Sequence, residues 1–127
     1  MKINLPASIG ELFDKITILE IKRSKIKDKI KLKIINQELN LLKKVVLAKK
    51  IKTRNLTSLI KKLKNVNLRL WNVEDKLRIF EKKKSFKKDF ISYARKVYHM
   101  NDKRAYLKNE INKKTNSLIS EVKSYEK

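Results

Sequence analysis

The chain has 127 residues, a formal net charge of +22, one Gly, one Pro, one His and no Cys. That length is one domain's worth and can bury a core unaided, while the missing Cys excludes disulfides, thiolate metal sites and cysteine nucleophiles. A single His without Cys leaves no set of ligands for a structural metal, and a lone Gly excludes the loops that cradle nucleotide phosphates, so neither metal nor cofactor is expected.

Sheets and tight turns draw on Gly and Pro for special backbone angles, and helices avoid them, so the composition predicts an all-α fold. The opening MKINLPASIGE lacks the continuous apolar stretch of a signal peptide. No segment approaches the roughly 18 apolar residues of a membrane-spanning helix. The expected location is the cytoplasm.

Pro6-Ala7-Ser8 leads into the first helix, and Ser8 followed by Glu11 is the pattern of a capping box. Ile9, Leu12, Ile16, Leu19, Arg23 and Ile26 recur at spacings of three and four, the stripe of an amphipathic helix. Lys27 to Lys31 forms a joint, with Asp28 placed to cap the next helix. That second helix carries Leu32, Ile35, Leu39, Leu42 and Val46, and ends between Lys50 and Arg54.

The third helix has the cleanest period: Leu56, Leu59, Leu63, Val66, Leu70, Val73, Leu77 and Phe80, with Asn55 or Thr57 as its cap. Glu81 to Ser85 suffices only for a tight connection, so the fourth helix folds back antiparallel, capped by Ser85. Its seam is Phe86, Phe90, Tyr93, Val97, Met100, Arg104, Leu107 and Ile111, and Asn116 supplies a left-handed stop. Residues 117–127 add a short helix or a frayed tail. The whole reads as one helical domain, 1–127. It is an antiparallel bundle of about four helices in up-down-up-down order, with helices three and four forming a long coiled-coil-like hairpin. A hairpin that outreaches its neighbours exposes its seam, which points to a homodimer.

The charge is uneven. No acid occurs from Leu39 to Val73, a stretch that includes Lys43, Lys44, Lys49, Lys50, Arg54, Lys61, Lys62 and Lys64. Such a face suits polyanions: nucleic acid, acidic protein or anionic lipid headgroups. Against this, Lys outnumbers Arg by 29 to six, and Lys, Ile and Asn together supply 55 residues. That is the usage of an AT-rich genome writing Lys on tolerant surfaces, whereas phosphate-gripping proteins favour the forked Arg.

The stretch YHMNDKR, from Tyr98 to Arg104, holds the only His. Helical register places His99 off the seam, beside Arg95 and Asp102, with no Ser or Thr within a turn to serve as nucleophile. Arg104 instead occupies a seam position, where a guanidinium needs a partner. Reflecting the helices about turns near residues 28, 53 and 83 brings Arg104 level with Asp14, Lys108 with Glu11, and Asn101 with Asn67. Arg23 intrudes in the same way on helix one, with Glu74 and Asp75 as partners, next to Trp71. Two readings are open. The cluster is a buried ion-pair network that specifies which helices pack. Alternatively, Arg104, Lys108, Arg95 and Arg23 bind an anionic small molecule or an acidic protein surface, oriented by Asn101 and Tyr98, with Asp14 or Glu11 as acid or base. Gly10, in the first turn of helix one, permits either close backbone packing or open N–H groups for an anion.

PASIGELFDKITILEIK, LWNVEDKLRIFE and FISYARKVYHMNDKRAYLKNEIN with EVKSYE resemble a family of short bacterial all-helical proteins, a domain of unknown function. Its blocks read P-x-S-x-G-E-L-x-D-K-I-T-I-L, W-x-x-E-D and A-R-x-V-Y-x-x-N-D-x-R-A-x-x-K-x-x-I-N. The resemblance spans the chain and implies that the family retains Ser8, Gly10, Glu11, Asp14, Lys15, Trp71, Glu74, Asp75, Ala94, Arg95, Tyr98, Asn101, Asp102, Arg104, Ala105, Lys108 and Asn112. It implies no activity, and it leaves out the Lys-rich middle. A weaker likeness is to the all-helical chorismate mutases, which hold a dicarboxylate with Arg and Lys from several helices. The leading expectation is a binding or adaptor protein for an anion. A small-molecule enzyme using the same cluster and a nucleic-acid-associated protein are the alternatives.

Overall fold

In a computed structural model, which describes residues 1–117, four α-helices account for most of the chain. They are α1 (Ile9–Lys25), α2 (Lys29–Ala48), α3 (Thr57–Lys82) and α4 (Lys88–Thr115), with a 3-10 turn (Thr53–Leu56) before α3. There is no strand among the described residues, and none of these helices is long and apolar enough to cross a membrane. The 117–127 tail predicted from the sequence lies, beyond Ser117, outside the described residues.

Local signals set most boundaries. The Ser8 hydroxyl accepts from Glu11 N–H at 3.0 Å and opens α1. The Asp28 carboxylate accepts from Ile30 and Lys31 N–H and opens α2. Two expected caps are not used. Neither Asn55 nor Thr57 caps α3, because the 3-10 turn runs straight into it and Thr57 Oγ1 donates back to the Thr53 carbonyl. Ser85 does not cap α4, which begins after Lys87; Ser85 N–H is spent on the Phe80 carbonyl, closing α3.

With one Gly in the chain, the helix ends use other residues for the left-handed angle. Lys50, Lys84 and Asn116 have φ of 54°, 53° and 53°. Each follows the same two-bond closure: Ile51 to Val46 and Lys50 to Leu47 after α2, Ser85 to Phe80 and Lys84 to Glu81 after α3, Ser117 to Asn112 and Asn116 to Lys113 after α4. Asn tolerates this angle well and Lys less so.

α1 is the central helix. It lies against α2, α3 and α4, while α3 and α4 also pack along each other and α2 approaches only α1 at close backbone range. All four helices of this all-α bundle contribute to one core, with α1 between α2 and the α3–α4 hairpin. The core holds Phe13, Ile16 and Leu19 of α1, Ile35 and Leu39 of α2, Leu56, Leu63, Val66 and Leu70 before and along α3, and Leu107 and Ile111 of α4. Surrounded on three sides, α1 also buries Gly10, Asp14, Thr17 and Ile21. Its wide buried face turns Arg23 outward: Arg23 is exposed, not an intruder on the seam.

Gly10 is where α1 meets α4. A Cβ there would lie 2.4 Å from the Lys108 carbonyl oxygen and 3.0 Å from Asn112 Oδ1. The obstruction is backbone inside a long helix, which cannot swing aside. Gly10→Ala gains about 1 kcal/mol of helix propensity but overpacks the crossing by about 1–3 kcal/mol or more. The expected result is a net loss of roughly 1–2 kcal/mol, measured by urea unfolding. Lys50→Gly relieves the left-handed strain and is expected to raise stability by about 1 kcal/mol in the same assay.

Candidate functional site

The polar cluster is assembled from three helices. Asp14 of α1 is fully buried, with 0% exposure. Its Oδ1 accepts from Arg104 Nε at 2.8 Å and from Asn67 Nδ2 at 2.9 Å, and its Oδ2 accepts from Arg104 Nη2 at 2.5 Å. Asn67 of α3 also donates to Thr17 Oγ1 at 3.1 Å, and that hydroxyl donates to the Asp14 carbonyl at 2.8 Å. Arg104 Nη1 reaches Asn101 Oδ1 at 3.4 Å, a long contact. One turn further along α4, Lys108 Nζ lies 3.0 Å from Glu11 Oε2.

These bonds explain how a carboxylate survives in the core. Burial alone pushes the Asp14 carboxyl up. The hydrogen bonds from Arg104 and Asn67, together with the positive charges of Arg104 and Lys108, outweigh it and hold Asp14 below the usual carboxylate range. Asp14 therefore stands as a permanent anion near neutral pH, which suits it to fix a guanidinium and not to deliver a proton.

The expected members divide. Glu11, Asp14, Asn101, Arg104 and Lys108 come together. Arg95 and Tyr98 do not join them: both are exposed on α4, Arg95 more than two turns before Arg104. The Tyr98 ring lies beside His99, centroids 4.1 Å apart. Arg23 does not pair with Glu74 or Asp75 across the bundle; all three are exposed, and Asp75 binds Arg78 on its own helix at 3.1 Å. Asp102 is half-buried on α4. Thr17 was missed from the sequence, and Asn67 was matched to Asn101 although its bonds go to Asp14. The available signal was the second α1 stripe of Gly10, Asp14, Thr17 and Ile21, whose polar members mark a buried face.

At the start of α1, no N–H of the first turn is left for an anion. Ile9 N–H donates to Ser117 Oγ, Gly10 N–H to Asn112 Oδ1 at 2.7 Å, Glu11 N–H to Ser8 Oγ and Leu12 N–H to the Ser8 carbonyl. Gly10 serves close packing. Asn112, also buried, offers its oxygen to Gly10, and its Nδ2 has no acceptor among the described residues.

Beside Arg104 a cleft of about 310 Å³ opens between α1 and the hairpin. Ile18, Ile21, Leu70 and Trp71 supply apolar walls, and Lys22, Arg78, Arg104, Asn67 and Glu74 the polar ones. The Arg104 side chain keeps 28% of its exposure here. Lys108 is outside this cleft. The basic residues of the acid-free stretch, Lys43, Lys44, Lys49, Lys50, Arg54, Lys61, Lys62 and Lys64, are all exposed, on α2, the turn after it, the 3-10 turn and α3. Lys64 faces Glu20 of α1 at 3.5 Å, whereas Lys62 borders a groove between α3 and α4, so they do not form one stripe.

Residues 1–127 match a family of unknown function (DUF6165) from end to end. The chain belongs to this family. No curated protein and no solved structure matches it. The family membership agrees with the resemblance in the sequence blocks and brings no activity with it.

Asp14→Asn leaves the buried part of Arg104 without its counter-charge and is expected to cost about 3–5 kcal/mol at pH 7. Because the folded-state pKa of Asp14 is depressed, its stabilisation is complete above the unfolded value of about 3.9 and is lost as pH falls through the folded value. The stability gap between wild type and Asp14→Asn should therefore narrow below about pH 4, checked by urea unfolding across pH 3–7.

Proposed function

We propose that this protein is a binding protein for a small organic anion, taken up in the cleft beside Arg104. The observation that carries this reading is the double role of Arg104. Nε and Nη2 are fastened to the buried Asp14, yet Arg104 lines the cleft and its side chain is 28% exposed. A cation held in this way keeps its geometry before a ligand arrives, so less side-chain entropy is lost on binding.

The cleft sets the ligand's chemistry. Lys22, Arg78 and Arg104 line it with Glu74 as the only acid among the described lining residues, which favours a carboxylate or phosphate. Ile18, Ile21 and Trp71 offer an apolar surface to the remainder of the molecule. A volume of about 310 Å³ is of the size that small-molecule sites occupy. Asp14 is fully buried with both oxygens engaged by Arg104 and Asn67, which supports a positioning role for this carboxylate over acid–base catalysis.

Trp71 is the only Trp in the chain and lines the cleft, so its emission reports occupancy. A panel of small aromatic and aliphatic carboxylates and sugar phosphates is titrated against Trp71 fluorescence. At least one should bind saturably, and Lys22→Glu combined with Arg78→Glu should weaken it at least tenfold, about 1.4 kcal/mol. Those two positions are preferable to Arg104, whose loss also unseats Asp14. If no anion perturbs Trp71 or raises the unfolding temperature, the reading fails.

A further inference from the structure

The α3–α4 hairpin has a half that the rest of the protein does not cover. Between Val73 and Ala105 no residue is buried. The helices continue about 14 Å beyond Val73, at 1.5 Å per residue, before the turn. Glu74 and Arg78 still reach the cleft, and Asn101 and Arg104 the Asp14 network, but residues 79–96 belong to neither.

Its composition is unusual in two respects at once. Residues 76–96 carry nine Lys or Arg against Glu81 and Asp89, a net +7. Within the same stretch, Phe86 stands in the turn at 47% exposure, and Ile79 and Ile91, each within a turn of its helix end, are 44% and 55% exposed. Behind them Phe80, Phe90 and Tyr93 pack on one another. Phe80 meets Phe90 at 6.4 Å and Tyr93 at 5.8 Å, Phe90 meets Phe86 at 5.2 Å, and Lys76 and Lys96 lie over the Phe80 and Tyr93 rings.

An aromatic wedge therefore stiffens the tip from within, while Phe86 and the two Ile are exposed on a Lys-rich stretch of chain. We propose that this tip docks on the surface of an anionic phospholipid bilayer, with Phe86, Ile79 and Ile91 entering the headgroup region and the surrounding Lys meeting lipid phosphates. Interfacial binding combines buried apolar area with attraction of basic residues to anionic lipid, and the tip offers both in one place. A second copy of the chain fits less well, because two tips of net +7 repel. Nucleic acid also fits less well. Two of the three exposed apolar side chains are aliphatic and offer no stacking face, and the flat rings of Phe80 and Tyr93 are already occupied.

The absence of Cys allows Phe86→Cys to carry a single environment-sensitive fluorophore, with Lys43→Cys on α2 as a distant control. The labelled proteins are mixed at 150 mM salt with 100-nm vesicles of phosphatidylcholine alone or with 30% phosphatidylglycerol. The expected result is a blue shift at position 86 only, and only on the anionic vesicles. Because overall charge alone could draw the protein to such vesicles, a second variant keeps the charge unchanged. Phe86→Ser, Ile79→Ser and Ile91→Ser together, with helicity confirmed by circular dichroism, should reduce vesicle flotation at least tenfold. The proposal is overturned if the unlabelled protein does not float with anionic vesicles, or if the triple variant floats equally well. It is also overturned if the label at position 86 responds to single-stranded RNA or to protein concentration and not to lipid.

Discussion

The core is organised around one buried charge. Asp14 has no exposure to water, and a carboxylate in that position is tolerable only if its oxygens are fully engaged. Arg104 from α4 supplies a two-pronged contact and Asn67 from α3 a third bond, so one side chain of α1 specifies which helices flank it and at what height. Hydrophobic seams can slide by a helical turn at modest cost. A buried anion cannot, because a shifted register would strand it. The network thus contributes less as raw stability than as a choice among packings that the Leu- and Ile-rich stripes leave nearly equivalent.

Everything around α1 is consistent with that constraint. Lys108 and Glu11 repeat the α4–α1 pairing one turn away, and beyond it Gly10 lets the backbones approach until Asn112 can reach Gly10 N–H. The close contact is at the base of α1, and a cleft lies towards its other end. There Trp71 and Arg78 border a cleft, and the hairpin then continues alone. A tight base, a polar middle and an uncovered tip give this small domain separate places for rigidity and for contact with other molecules. α2 contributes cover to the outer side of α1 and little to either.

Much of this was legible in the sequence because it is local. Three-four spacing places apolar residues on one side of a helix regardless of what lies opposite, and Ser8, Asp28 and Asn116 act through backbone groups a few residues away. Arg104 against Asp14 and Lys108 against Glu11 were also readable, since antiparallel helices of equal rise align residues by simple reflection. The caps failed where a helix begins at a different residue from the one the pattern marks. Ser85 N–H closes α3 and α4 starts only at Lys88, while Asn55 stands in a 3-10 turn and Thr57 already in α3, which follows it without a break.

By itself the sequence determined an all-helical chain, the number and approximate spans of its helices, its strongly basic surface and its membership of a family of unknown function. Tertiary structure decided how each helix is rotated about its own axis. That rotation turned Arg23 to solvent, brought Thr17 and Asn67 to Asp14, left Arg95 and Tyr98 outside the cluster, and opened the cleft beside Arg104. The physical reason is that periodicity defines a stripe but not its centre. The centre depends on how many neighbours a helix has, and α1, enclosed on three sides, buries a face wider than its apolar stripe alone describes.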